Sequence, residues 1–170
     1  MNKKIVIING SGGVGKDTFV EFCSEFTKIK NISSVDKVKE AAKILVGWNG
    51  EKDEKSRKLL ADLKQMSIEY NNYPITYIKE QADIFTENPE EAIMFIHIRE
   101  TSEIEKVKKL LNAKTLLITS KRVKKILTNA SDANVEQYDY DYHIVNDGTL
   151  EELKEMARKF VMQTIEEEEG

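Results

Sequence analysis

The chain alternates between short apolar runs and longer segments in which apolar residues recur every three or four positions. A short apolar run bounded by turn residues predicts a buried strand, whereas the longer recurrence predicts an amphipathic helix. The predicted strands cover residues 5–8, 31–35, 92–98, 115–118 and 142–145. The predicted helices cover a segment after residue 16, then 37–46, 52–70, 74–85, 102–111 and a closing segment from 150. This alternation predicts right-handed crossovers and a parallel sheet with helices on both faces.

Helix faces and caps add detail to this outline. The first helix is expected to bury a face formed by Phe19, Phe22, Cys23, Phe26 and Ile29. The helix over 52–70 is expected to carry a stripe of Leu59, Leu63, Met66 and Tyr70. Two capping boxes predict helix starts: Ser102 with Glu105, and Thr149 with Glu152. For Trp48 and the tyrosines of 70–73, burial is favoured over stacking on a base.

A glycine-rich segment joins the first predicted strand to the first predicted helix. It reads Gly10, Ser11, Gly12, Gly13, Val14, Gly15, Lys16, Asp17, Thr18. A glycine loop in this context is typical of a phosphate-binding P-loop, because its backbone N–H groups converge at a helix N-terminus. Lys16 adds a positive charge for the β- and γ-phosphates. The segment therefore predicts a nucleotide-binding site.

Asp17 stands where the P-loop pattern G-x-x-x-x-G-K-[ST] has a hydroxyl, and Thr18 follows one residue later. Asp17 could bind magnesium, directly or through water, or it could cap the helix and favour its N-terminus electrostatically. A carboxylate beside a γ-phosphate is repulsive without a cation between them. The magnesium interpretation, with Asp17 and Thr18 as metal residues, is therefore favoured.

Polar side chains also follow the other predicted strands, where ligands of parallel sheets bind. Asp36 either contacts a ligand at this edge of the sheet or acts as a helix N-cap. Arg57 either contacts a ligand or, the favoured interpretation, forms part of a surface ion pair. Arg122 competes with Lys121, Lys124 and Lys125 for a phosphate, and its bidentate geometry favours the arginine. Arg99 is interpreted as functional, whereas His97 and His143 are interpreted as structural.

Composition narrows the class of protein. The 170 residues suit one domain, and 33% charged with 40% hydrophobic residues suits a soluble globular chain. The net charge of -4 argues against non-specific nucleic-acid binding. No apolar run has the length of a membrane span, and the N-terminal run is too short for a signal peptide. Cys23 is the only cysteine, so an intramolecular disulfide is excluded and a cytoplasmic location is expected.

Three passages, residues 10–18, 34–42 and 141–153, together resemble small P-loop kinases of the nucleoside monophosphate kinase group, in particular the phage-type deoxynucleoside monophosphate kinases. The Gly-Lys-Asp of the first is also similar to animal phosphomevalonate kinases. The third is similar to dephospho-coenzyme A kinases. The resemblance implies an α/β, three-layer α/β/α P-loop NTPase fold with a five-stranded parallel sheet. It also implies one kinase domain over 1–170, with a helical acceptor-binding insertion at about 37–88 and a short lid at about 121–140.

The resemblance further implies an ATP-dependent kinase that uses Mg²⁺ and a small phosphorylated acceptor, a (deoxy)nucleoside monophosphate. In that interpretation Lys16, Arg99 and Arg122 are catalytic, and Asp36, Arg57 and Arg99 form the acceptor side. Asn146, Asp147 and Gly148 border the adenine. A kinase of another small metabolite and a catalytically degenerate nucleotide-binding protein stay as alternatives. A GTP-binding switch is disfavoured, because residues 99–102 and 119–122 lack its Asp-x-x-Gly and Asn-Lys-x-Asp motifs. The oligomeric state stays open.

Overall fold

The computed structural model describes residues 2–123 and 135–167. The strands are β1 (Lys4–Asn9), β2 (Ile29–Ser33), β3 (Ile93–His97), β4 (Lys114–Thr119) and β5 (Tyr142–Val145). The helices are α1 (Lys16–Ser24), α2 (Asp36–Val46), α3 (Glu54–Asn71), α4 (Tyr73–Glu87), α5 (Thr101–Leu111) and α6 (Leu150–Glu166). A 3-10 turn covers Val135–Gln137. In these described residues, no helix is both long and apolar enough to cross a membrane.

The five strands form one parallel sheet in the order β2-β3-β1-β4-β5. Side chains along β1 alternate between two buried clusters: Val6 and Ile8 belong to one, and Ile7 belongs to the other. Both faces of the sheet are therefore buried. This double burial explains why the strands read as continuous apolar runs rather than as alternating ones.

Helices cover the two faces of the sheet in separate layers. On one face, Phe19 of α1 and Phe160 of α6 pack edge to face at 5.6 Å between ring centroids, and Phe95 of β3 lies beneath them. On the other face, α4 and α5 contribute Ile78 and Ile104 to the second cluster. The α3 helix packs against α2 and α4. The architecture is the predicted three-layer α/β/α arrangement.

All five predicted strands are present, but the boundary between α1 and β2 was predicted wrongly. Helix α1 ends at Ser24, so Phe26 and Ile29 do not continue its face. The Phe26 N–H bonds the Cys23 carbonyl in a turn at 3.1 Å. Ile29 instead pairs with Ile93 at the start of β2. Ile29 fits the helical pattern when the sequence is read alone, but pairing with β3 places it in a strand.

One predicted capping box is confirmed and the other is wrong. Thr149 and Glu152 exchange both bonds of the box at the start of α6. Helix α5 has Glu100 as its N-cap, so it begins ahead of Ser102 and the predicted box with Glu105 does not form. The Glu105 carboxylate instead accepts a hydrogen bond from the hydroxyl of Tyr138.

The predicted stripe on α3 is only partly buried. Leu59 and Leu63 are half-buried, but Met66 is 63% and Tyr70 88% exposed. The helix packs on neighbouring helices rather than on the sheet, which leaves the far end of the stripe without a covering layer. The expectation of burial at Tyr70 is therefore wrong.

Candidate functional site

The loop between β1 and α1 covers residues 10–15 and is called the phosphate loop below. It turns sharply at three glycines. Gly10, Gly13 and Gly15 have φ angles of 152°, 83° and 98°, which L side chains rarely adopt. A Cβ added to Gly10 would lie 2.5 Å from the Ile118 carbonyl oxygen of β4. Only glycine allows the loop to approach the sheet this closely. The loop ends at the N-terminus of α1, where backbone N–H groups favour an anion.

Lys16 is the first residue of α1, and its ammonium reaches back over the loop. It donates hydrogen bonds to the carbonyls of Gly10 and Ser11, the latter at 3.3 Å. The positive charge of Lys16 is therefore held over the backbone of the loop. The action of Lys16 on phosphates stays a prediction from the sequence.

Asp17 and Thr18 lie in the first turn of α1. The N-cap of that helix is Gly15, and no side chain makes a capping hydrogen bond there. Asp17 is exposed and Thr18 is half-buried. Their oxygens are of the kind that Mg²⁺ prefers, and such ions take few protein ligands and complete their shell with water and phosphate. The residues therefore fit a magnesium ion held jointly with a nucleotide.

Asn146 joins the end of β5 to the phosphate loop. Its backbone N–H bonds the Thr119 carbonyl at 2.7 Å, and its side-chain amide donates to the Val14 carbonyl at 2.9 Å. A Cβ on Gly15 would lie 2.6 Å from that amide nitrogen, so the two segments are in close contact. The structure thus places the predicted adenine-side residue against the loop itself.

Arg122 lies beside the same turn. Its guanidinium donates to the Gly148 carbonyl, and the Lys121 N–H donates to the Asp147 carboxylate at 2.7 Å. The structure therefore brings Arg122 and residues 146–148 together. Of the competing cations, Lys124 and Lys125 lie outside the described residues, as do residues 124–134 of the predicted lid.

Asp36 is the first residue of α2 and follows the carboxyl end of β2. Its Oδ2 accepts hydrogen bonds from the Ser33 N–H and the Tyr77 hydroxyl, both at 2.9 Å. The N-cap of α2 is Val35, so the alternative interpretation of Asp36 as an N-cap is wrong. Burial, together with this carboxylate, raises the pKa of Tyr77. The tyrosine therefore stays a neutral donor that fixes the carboxylate in place.

Arg99 lies two residues after the end of β3. Its Nη2 is 3.8 Å from the position that a Cβ on Gly12 would occupy, so the guanidinium borders the phosphate loop. Arg57 is different: it is an exposed residue of α3. Among the hydrogen bonds and ion pairs found within 2–123 and 135–167, none joins the Arg57 side chain to the other candidates.

His97 is closer to the site than the sequence suggests. It ends β3, with Ile8 and Ser33 as its neighbours in the adjacent strands. The ring Nε2 lies 2.8 Å from the Asn31 amide oxygen. Burial lowers the pKa of His97, with Lys16 acting in the same direction and Asp17 and Asp36 opposing. Its position at a strand end was the available signal for this location.

Two buried polar residues were missed by the sequence reasoning. Asn9, at the end of β1, is 1% exposed, and Tyr140, just before β5, is 4% exposed. They are hydrogen-bonded to each other at 3.0 Å although 131 positions separate them. A polar residue between an apolar strand and a glycine loop is the only local sign of Asn9, and nothing local marks Tyr140.

Comparison with solved structures finds similar folds at low sequence identity. TT1252 from Thermus thermophilus aligns over 96% of this chain and 98% of its own, with 15% identity and a TM-score of 0.52. Shikimate kinase from Aquifex aeolicus aligns over 95% and 96%, with 12% identity and a TM-score of 0.50. No known family profile and no curated protein sequence matches this chain.

The sheet order and the strand–loop–helix segment define the class of fold. A parallel sheet with β1 at its centre carries a glycine loop at the carboxyl end of that strand, directly before α1. These features, with the two structural likenesses, make the chain a P-loop NTPase fold of the three-layer α/β type. The two likenesses concern the fold.

Proposed function

We propose that the protein is an ATP-dependent kinase that transfers the γ-phosphoryl group to a small phosphorylated acceptor, a (deoxy)nucleoside monophosphate. The observation that carries the proposal is that two cations meet the same loop: the Arg99 guanidinium borders Gly12, and the Lys16 ammonium donates to the Gly10 carbonyl. A guanidinium and an ammonium at one loop of backbone amides suit a phosphoryl group passing between two phosphates.

On the nucleotide side, the loop amides and Lys16 bind the β- and γ-phosphates and orient the γ-phosphorus towards the acceptor. Asp17 and Thr18 hold a magnesium ion, which neutralises charge on the transferring group. Arg122 and the turn at 146–148 border the adenine side, and residues 121–140 form a short lid. The contact between Asn146 and Val14 supports a single nucleotide-binding surface here.

On the acceptor side, Arg99 binds the acceptor phosphate and Asp36 contacts the rest of the molecule. The helices between residues 37 and 88 form the wall of this pocket, and Tyr77 of α4 already holds Asp36. An acceptor that ends in a phosphate supplies its own nucleophilic oxygen. The chemistry therefore depends on positioning and charge neutralisation rather than on a strong general base.

The test is release of ADP from ATP and Mg²⁺ in the presence of single acceptors. The panel contains the eight common ribo- and deoxynucleoside monophosphates, dephospho-coenzyme A and phosphomevalonate. We expect turnover with at least one monophosphate and a loss of about 10²- to 10³-fold in kcat for Lys16→Ala, since removal of one preorganised donor costs on this order. Lys159→Ala, on the exposed face of α6, is the control.

The outcomes separate the alternatives. Turnover with only one of the two non-nucleotide acceptors would replace the acceptor class while keeping the kinase. Binding of ATP without turnover on any acceptor would favour a degenerate nucleotide-binding protein. Asp17, which stands where the P-loop pattern has a hydroxyl, is the residue that makes this second outcome worth testing.

A further inference from the structure

A buried chain of hydrogen bonds runs behind the phosphate loop. The Asn9 amide oxygen accepts from the Gly10 N–H at 2.8 Å. Its amide nitrogen donates to the Arg99 carbonyl at 3.1 Å and to the Tyr140 hydroxyl at 3.0 Å. Tyr140 in turn donates to the Val135 carbonyl at 2.7 Å. Two side chains thus link four segments of the chain at one point.

The direction of every bond in this chain is fixed by its partners. A backbone N–H can only donate and a carbonyl can only accept, so the Asn9 amide has one possible orientation. Tyr140 has one proton, which it gives to Val135, so its oxygen must accept from Asn9. The polar atoms of both buried side chains are therefore in use, and a buried network of this kind is costly to break.

The oxygen and the nitrogen of the Asn9 amide each bond a backbone group of a residue in the candidate site. The Gly10 N–H donates to Asn9, and the carbonyl of the same residue accepts from the Lys16 ammonium. The Arg99 carbonyl is held by Asn9, and the guanidinium of the same residue borders Gly12. The Tyr140 hydroxyl thus sits two hydrogen bonds from the nucleotide side and two from the acceptor side.

We propose that Tyr140 is a positioning residue that, through Asn9, sets the spacing between the phosphate loop and Arg99. This inference rests on the proposed function, because the spacing matters only if both sides bind phosphates. Tyr140 touches neither substrate. Its role is to hold the Asn9 amide in the one rotation that serves Gly10 and Arg99 together.

Tyr140→Phe tests the proposal, because it removes the hydroxyl and leaves the ring. The control is Tyr142→Phe: its hydroxyl donates to Glu167 at 2.5 Å, and its ring packs against Phe160 at 5.3 Å between centroids. We expect Tyr140→Phe to weaken binding of ATP with Mg²⁺, measured by calorimetry, by roughly three- to tenfold, the worth of one hydrogen bond. Tyr142→Phe should stay within about twofold of wild type, below the worth of one such bond.

A double variant shows whether the effect passes through Asn9. If it does, adding Tyr140→Phe to Asn9→Ser weakens ATP binding no further than Asn9→Ser alone. Additive losses would overturn the proposal. So would equal losses of affinity for the two tyrosine variants, or a fall in melting temperature for Tyr140→Phe with unchanged ATP affinity.

The same experiment keeps this inference distinct from the proposed function. A wild-type chain that binds ATP but phosphorylates no acceptor would overturn the proposed function only, since the affinity comparison still decides the role of Tyr140. A wild-type chain that binds no ATP would overturn both. Where turnover is found, we expect Tyr140→Phe to raise the KM of ATP and of the acceptor together.

Discussion

At the scale of single residues, the charged residues of the candidate site are held in place by hydrogen bonds. Lys16 donates to loop carbonyls, Asp36 accepts from the Tyr77 hydroxyl, and the Arg99 carbonyl accepts from the Asn9 amide. The candidate charges themselves could be predicted from the sequence, because strand ends and glycine loops have local signatures. The residues that hold them could not, because Asn9 and Tyr77 find their partners only after the chain has folded.

The role of Arg99 predicts a difference between substrates. Arg99→Ala removes the guanidinium beside Gly12 while leaving the carbonyl that Asn9 holds. We expect the KM of the acceptor to rise about tenfold or more, because a charge-assisted hydrogen bond is worth about 1.5–3 kcal/mol. The KM of ATP should change less. Arg158→Ala, on the exposed face of α6, is the control, and an equal rise for both substrates in Arg99→Ala would contradict the assignment.

Asp17 predicts a dependence on magnesium that a hydroxyl would not give. With the ion bound, the carboxylate is attracted to it, whereas without the ion it repels the triphosphate. We expect chelation to weaken ATP binding more in the wild type than in Asp17→Asn. ATP titrations of both proteins, with magnesium and with chelator, measure this difference. Parallel responses would refute the metal role and leave Thr18 and water as the partners of the ion.

At the scale of elements, helix α3 is joined to helix α5 by a nearly buried ion pair. Lys64 of α3 lies 2.7 Å from Glu103 of α5, and their side chains are only 11% and 9% exposed. Within the described residues, the second carboxylate oxygen of Glu103 has no hydrogen-bond partner. The pair therefore fixes α3 against the turn that follows Arg99, at a desolvation cost that only good geometry offsets.

Breaking this pair should be more harmful than removing it. Lys64→Met leaves the Glu103 carboxylate buried and unpaired, so we expect the free energy of unfolding to fall by about 3 kcal/mol. The double variant Lys64→Met/Glu103→Leu should recover most of that loss, because no charge stays buried. Urea unfolding measures both.

A second pair provides the control. Lys58 and Asp62 lie 2.6 Å apart on the exposed face of α3, with side chains 76% and 59% exposed. Lys58→Met should cost at most about 0.5 kcal/mol, as is usual for exposed helical pairs. Lys and Met have similar helix propensities, so a loss as large as that of Lys64→Met would show that burial of the pair does not explain the result.

Element type was predictable because the periodicity of apolar residues is a local property. Boundaries were less predictable: Ile29 was assigned to the first helix, yet it pairs with Ile93 in the sheet. The partner of a strand lies far away in sequence, so no local pattern reveals where pairing begins. The same reason explains Tyr70, whose exposure depends on which helices cover α3.

At the scale of the whole molecule, the order of the strands sets the site. β3 and β4 flank β1, so the ends of three strands converge where the phosphate loop begins. The sequence predicts a parallel sheet from alternating elements, but it does not give that order. The closing β5 is fixed to β4 partly by Asp141, whose carboxylate accepts from the Thr115 N–H at 2.8 Å and from its hydroxyl at 3.1 Å.

Asp141 therefore predicts how stability depends on pH. Burial alone would raise its pKa, but the bonds from Thr115 and the ammonium of Lys108, 3.5 Å away, outweigh burial and lower it. A carboxyl whose pKa is lower in the folded state stabilises the fold above its unfolded pKa, near 4. That contribution is lost as the pH falls through the folded pKa.

Asp141→Asn should show this dependence directly. At pH 7 we expect the variant to unfold with about 1–2 kcal/mol less free energy than the wild type, because hydrogen bonds to a charged group are worth about that much. The gap should stay constant down to pH 5 and shrink below about pH 4 as the wild-type carboxylate is protonated. Urea unfolding between pH 3 and 8 measures it, with Asp139→Asn, an exposed site two residues earlier, as the control. A gap of the same size at pH 3 would mean that the shape of the side chain, and not its charge, joins β5 to the sheet.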